Sequence, residues 1–244
     1  MTTPPPSGLD PDLTRPVSLS QFYPFVLADS LAKRSRAESI RRVHAMPSPA
    51  IDYWRLLRLH VVAHHQLAAD PRPEPSGATD PLDAAVDLAG PERHHLYERA
   101  VANYRRFLGR HRVEWLDQPR RTIWTAGKLK VRIDPELHVT IDGDPHVIKL
   151  YLKADPALAL TQRTANPLVW LLTDGHGHLG RPLVLDLLRG RAFGLTRPGI
   201  DHEALLRAQA AAFVSLWDAG AAARGRHPSA NPGGHALPGD AAVA

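Results

Sequence analysis

The chain has 244 residues and no cysteine, with 43% hydrophobic and 23% charged side chains. Lacking Cys, it has no disulfide framework, no thiolate zinc site and no thiol nucleophile, and no apolar run approaches the roughly 18 residues of a membrane span. The net charge of +5 and pI ≈ 9.8 favour anionic partners, nucleic acid first, because each phosphate contact releases condensed counterions. An Arg- and Ala-rich composition also arises from coding bias, so charge alone does not identify a ligand. Met1–Pro11 has neither a basic n-region nor an apolar h-region, and the expectation is a soluble cytoplasmic protein.

Residues 1–16 hold Pro4, Pro5, Pro6, Pro11 and Pro16 without apolar periodicity and read as disordered. Residues 17–69 read as a helical subdomain. Ser20 is placed to cap a helix bearing Phe22, Phe25, Leu27 and Leu31, with Pro24 in its first turn. Ser35 and Glu38 have capping-box spacing for a short helix carrying Ile40 and Val43. Met46–Pro49 breaks the pattern, and Ser48 with Pro49 restarts it as a third helix through Ala69. Residues 70–90, with Pro71, Pro73, Pro75 and Pro81, look like a linker or long surface loop.

Residues 91–218 carry richer patterning. Tyr97, Val101, Tyr104 and Leu108 follow helical spacing up to a stop at Gly109. Leu129–Ile133, Leu137–Ile141 and His146–Lys153 then alternate with period two and predict a three-stranded antiparallel meander. Asp142-Gly143 supplies the tight turn between the last two. Trp115 and Ile123–Trp124 are candidates for an edge strand. Asp155-Pro156 opens a helix that Pro167 should kink or divide, and Asp174–Gly180 reads as a loop. Pro182–Leu188 is an apolar strand turned back by Arg189-Gly190, and Asp201 caps a final helix facing Leu206, Phe213 and Leu216 inward. Residues 219–244 read as a disordered tail. The fold class is α+β: an N-terminal helical subdomain, an α-β-β-β-α-β core with a mostly antiparallel sheet, and a C-terminal helix.

That element order resembles the core of the PD-(D/E)XK nuclease-like superfamily. The resemblance covers about residues 91–195 and rests on element order more than on motif. It implies an acid near the start of the second core strand, an acid-x-Lys on the third, and a divalent cation, Mg²⁺ or Mn²⁺, held between them. A hard cation needs oxygen ligands, and the Lys stabilises the attacking hydroxide or the phosphorane charge. Asp134, just before the second meander strand, stands where the first acid belongs, and Lys149 stands on the third strand with Lys153 further along the same face. The chain departs from the pattern where the second acid should be: Val147 precedes Lys149 by two and Tyr151 precedes Lys153 by two. A migrated acid would have to be Glu136, Asp142, Asp144 or Asp186.

Each of these residues has an ordinary reading as well. Lys149 and Lys153 suit the solvated face of a half-covered sheet, and Asp134, Asp142 and Asp144 suit turns. Asp186, inside an apolar run, needs a partner such as Arg189 or Arg191 if it is not a ligand. His60 and His64 are four apart, at zinc-ligand spacing, but without an intervening acid; Asp174, His176 and His178 form a D-x-H-x-H cluster. Lys33, Arg34, Arg36, Arg41 and Arg42, and separately Arg105 and Arg106, are candidate phosphate contacts or simply solvated helix faces. The expectation is a basic protein associated with DNA or RNA on a PD-(D/E)XK-like scaffold whose metal site is incomplete, so that it binds rather than cleaves. The alternatives are a Mg²⁺-dependent nuclease using a migrated acid, with Lys149 and Lys153 as catalytic groups and Asp134 and Asp186 as metal ligands, and an interaction domain with no nucleic-acid role.

Overall fold

In a computed structural model, residues 13, 15–45, 53–70, 79–196 and 201–225 are described. The elements run β1 (Val17–Ser18), α1 (Leu19–Leu27), α2 (Ser30–Ala45), α3 (Arg55–Ala69), α4 (Pro81–Asp87), α5 (His94–Leu108), β2 (Val113–Asp117), β3 (Thr122–Ala126), β4 (Leu129–Ile133), β5 (Leu137–Ile141), β6 (Asp144–Tyr151), α6 (Gln162–His176), β7 (Arg181–Asp186), β8 (Arg191–Phe193) and α7 (His202–Gly225). The fold is α+β, with a helical N-terminal part and a C-terminal helix. No helix among the described residues is long and apolar enough to cross a membrane.

The larger sheet has the order β2-β5-β6-β7-β8, and only its β6–β7 pair is parallel. Its β5–β6 hairpin turns at Asp142 and Gly143, whose φ angles of 53° and 94° are the left-handed pair that a tight turn of this kind requires. A smaller sheet, β1-β4-β3, joins β1 to β4 in parallel and β4 to β3 antiparallel. The expected meander is therefore split. β5 and β6 pair as predicted, but β4 turns away from β5 and takes β3 as its partner. Asp134-Pro135-Glu136 is the reason: Pro135 has no N–H to offer a ladder, and the chain changes sheets across it. Alternation shows which residues share a face; it does not show which neighbour a strand takes.

Two apolar clusters sandwich the larger sheet. On one side Leu57 and Val61 of α3, Leu82 and Ala85 of α4, and Tyr97, Val101 and Tyr104 of α5 pack on Leu137, Val139, Ile148, Leu150 and Leu185. On the other, Leu168, Val169 and Leu172 of α6 join Val184 and Phe193 to α1, α7 and the smaller sheet. The N-terminal helices are thus built into both clusters rather than set apart from the core.

Local signals shift by a few residues. α1 begins at Leu19, not after Ser20, because Val17 and Ser18 pair with Val131 and Arg132; the Gln21 side chain accepts from the Ser18 N–H at 3.1 Å. Ser35 lies inside α2, whose first turn is capped by Asp29, accepting from the Ala32 N–H at 2.8 Å. Asp155-Pro156 opens only a single 3₁₀ turn, and α6 starts after Thr161, passes through Pro167 unbroken and extends into the expected loop as far as His176. Asp201 accepts from the Ala204 N–H at 2.7 Å, as its predicted capping role requires, and α7 continues into the expected tail. Part of the expected linker is the helix α4, seated in the core by Leu82 and Ala85. The Met46–Pro49 break, the Ser48–Pro49 helix start, the proline-rich half of that linker and most of the two expected disordered ends lie outside the described residues.

Candidate functional site: a cation-lined cleft beside Glu136

At the C-terminal end of β6 the sheet is uneven. The Glu136 N–H reaches the Ile148 carbonyl at 2.9 Å, and past that point β5 offers β6 no further backbone. The Leu150 N–H would be orphaned there, a costly state for a buried amide. The Glu136 carboxylate takes its place: Oε2 accepts from Leu150 N at 2.7 Å. The other oxygen, Oε1, accepts from Lys149 Nζ at 2.5 Å and lies 3.2 Å from Arg58 Nε. Lys149 Nζ also donates to the Asp134 carbonyl at 2.5 Å.

Lys149 is only 8% exposed and Glu136 7%. The solvated-face reading of Lys149 therefore does not hold. The period-two assignment is right, since Lys149 and Tyr151 share the face opposite Ile148, Leu150 and Leu152, but that face is covered as well.

Beside this pair lies a partly open cleft of about 320 Å³, walled by α1, α3, α6 and the end of β6. Arg58, Lys149 and Lys153 supply its charge; Leu19, Leu152, Leu168 and the rings of Tyr23 and Tyr151 supply apolar wall. Tyr23 donates to the Thr164 carbonyl, and Tyr151 to the Leu158 carbonyl at 2.6 Å. Burial raises both phenol pKa values above their usual range, so both hydroxyls stay protonated and neutral near neutral pH. Three positive charges thus face the cleft against the single carboxylate of Glu136.

A divalent cation needs carboxylate oxygens that are free to ligate it. Both Glu136 oxygens are engaged. The Asp134 carboxylate turns to Arg132, with Oδ2 2.5 Å from Nε, and to Arg121, with Oδ1 3.6 Å from Nε. Asp186 is fully buried and pairs with Arg189 at 3.2 Å, on β7 rather than beside Lys149. Burial raises its pKa against the opposing pull of Arg189. The acids named as metal ligands are thus each held by an arginine and are not brought together, and these residues do not fit a resident Mg²⁺ or Mn²⁺. Among the described residues no group of three His, Asp or Glu side chains is set to hold a metal ion.

The histidine pairs do not converge either. His64 turns to Asp80, at 3.1 Å from Oδ1, and His176 is buried with Nε2 2.8 Å from the Arg120 carbonyl while Asp174 and His178 are exposed.

The candidate phosphate contacts separate sharply. Arg41 is 2% exposed and bound to Glu38 at 2.8 Å, so it is a core residue and not a surface contact. Arg105 is shared between Asp80 and Asp83, Arg36 pairs with Asp155, and Lys33 donates to Gln209. Arg106 is held by the Asn103 side-chain oxygen at 2.7 Å. Arg34 and Arg42 are exposed on α2.

Two members of the cleft escape sequence reasoning. Arg58 arrives from α3, nearly eighty residues before the acid it meets; its only signal is a cation beside the buried stripe of Leu57 and Val61. Glu136 is visible only as an acid at the mouth of an otherwise apolar strand. Compared with known proteins, the chain matches no family model, no curated protein and no solved structure.

Proposed function

We propose that the protein is a nucleic-acid-associated protein on a PD-(D/E)XK-like scaffold, one that binds DNA or RNA rather than cutting it. α5, β2, β5, β6, α6 and β7 keep the order on which that resemblance rests, with the β3–β4 hairpin inserted between the first two strands. The observation that carries the reading is Glu136. Where phosphodiester cleavage by metal would need open carboxylates, this one is spent on Lys149, Arg58 and the Leu150 amide, and the cleft beside it keeps a surplus of positive charge. Such a surface attracts phosphate and has no means of assembling a metal-bound water.

A titration of duplex and single-stranded DNA and RNA across salt concentrations, with and without Mg²⁺, tests the reading. Binding should weaken steeply with salt, and no strand should be cut in either condition. Mg²⁺-dependent cleavage that disappears in Lys149→Ala would replace it with the nuclease reading, in which Glu136 gives up its cations to a metal. Absence of binding at low salt would leave an interaction domain with no nucleic-acid role.

A further inference from the structure

We infer that the cleft at the end of β6 receives a phosphate monoester, the terminal phosphate of a strand or of a single nucleotide, with Arg58, Lys149 and Lys153 standing where a divalent cation would otherwise be required. The inference deepens the nucleic-acid reading and rests on it only for the identity of the molecule that bears the phosphate.

Charge supports this assignment. Three cations less the Glu136 carboxylate leave a surplus of two positive charges at the cleft, matching a monoester that carries about −1.5 to −2 at neutral pH better than a diester that carries one. Shape supports it too. A cleft of about 320 Å³ closed in by α1, α3 and α6 is at the small end of ligand sites and has room for a group entering from its mouth. A strand running through it would need a second opening.

The donors are also held in place. Two of the three Lys149 N–H bonds are spent, on Glu136 and on the Asp134 carbonyl, which fixes the ammonium and leaves one N–H for an anion. Glu136 orients Lys149 and Arg58 and is a positioning residue. The neutral phenols of Tyr23 and Tyr151 add wall without repelling an anion.

The test uses one oligonucleotide sequence in three forms, bearing a 5′-phosphate, a 3′-phosphate or hydroxyls at both ends, with affinities read by fluorescence anisotropy in EDTA. One phosphorylated form should bind about tenfold more tightly than the hydroxyl form, as added charge-assisted hydrogen bonds imply. That ratio should fall to near one in Arg58→Gln and in Lys153→Gln, the second guarding against a folding defect in the first. Equal affinities of the three forms would overturn the inference and leave the nucleic-acid reading standing. Should no oligonucleotide bind at low salt, that reading fails, and calorimetric titration with inorganic phosphate and with a mononucleotide decides the cleft alone. Heat that Arg58→Gln abolishes would support it, and absence of heat would sink it.

Discussion

Glu136 and Lys149 meet at 2.5 Å, carboxylate to ammonium, with both side chains almost wholly withdrawn from water. A pair so placed gains little over apolar replacements, yet removing one partner strands the other charge, at a typical cost of about 3–5 kcal/mol. The two halves are unequal here. In Lys149→Met, Glu136 keeps Arg58 and the Leu150 amide; in Glu136→Gln, two cations are left facing each other and the amide has only a neutral acceptor. Urea denaturation should show Glu136→Gln to be the more destabilising, and the double variant should cost less than the two singles together. Additivity within about 0.5 kcal/mol would mean that the two side chains are not coupled.

His65 joins α3 to α5 through the Tyr104 hydroxyl and stacks on Trp115, with ring centroids 6.3 Å apart. Burial, aided by the neighbouring His64, lowers its pKa to about 4 from 6.5. The unfolded chain therefore takes up a proton first as pH falls, and stability is lost between pH 6.5 and about 4, by on the order of 3 kcal/mol. Above 6.5 both states are neutral and the contribution is constant. In His65→Phe the slope of stability against pH across that window should flatten; an unchanged slope would assign the acid sensitivity to other groups.

Asp186 behaves in the opposite sense. Its folded pKa is raised from 3.8, chiefly by burial, so the unfolded chain ionises first as pH rises and folding loses stability through that interval. Relative to Asp186→Asn, the wild-type protein should gain stability as pH is lowered from about 7 to about 4. Denaturation midpoints of the two proteins at both pH values give the comparison. A gap that widens in favour of wild type toward neutral pH would show that Arg189 outweighs burial.

Gly180 leads into β7 with φ at 154°, and a Cβ there would come within 2.4 Å of the Pro145 carbonyl oxygen on the adjoining strand. Backbone cannot rotate away as a side chain can. Gly180→Ala should cost roughly 2–4 kcal/mol, since it combines backbone strain with a contact that must push β6 and β7 apart. A thermal melt suffices to read it. The control is Gly90→Ala, where a Cβ meets nothing within 4 Å.

The sequence is most readable where local geometry decides the outcome. The β5–β6 hairpin, the face assignment along β6, the Asp201 cap and the stripe of Tyr97, Val101 and Tyr104 all follow from period and turn chemistry. Pairing between distant segments is where it fails. Nothing near Leu129–Ile133 says that β4 will take Val17–Ser18 on one side and β3 on the other. The site shows the same division. Lys149 can be found by its place on a strand, and Asp186 pairs with Arg189, three residues along the chain, as one of its two readings requires. Arg58 is invisible because its meaning depends on α3 docking over the end of β6. The prolines of residues 70–90 suggest a linker, yet Asp80-Pro81 is also a helix-start signal: Asp80 accepts from the Leu82 N–H at 2.9 Å, and α4 follows.

Phe22 and Phe25 of α1 stack edge-on against Phe213 of α7, with centroids 6.0 and 5.0 Å apart, so one aromatic nest is shared by the first and last helices of the described chain. During synthesis the early rings must wait, unshielded, until almost the entire polypeptide has left the ribosome. Contacts of such long sequence separation slow folding and prolong the exposure of sticky surface. Nascent chains of this protein are therefore clients for chaperone protection up to release, and a version truncated before Phe213 will aggregate rather than fold in part.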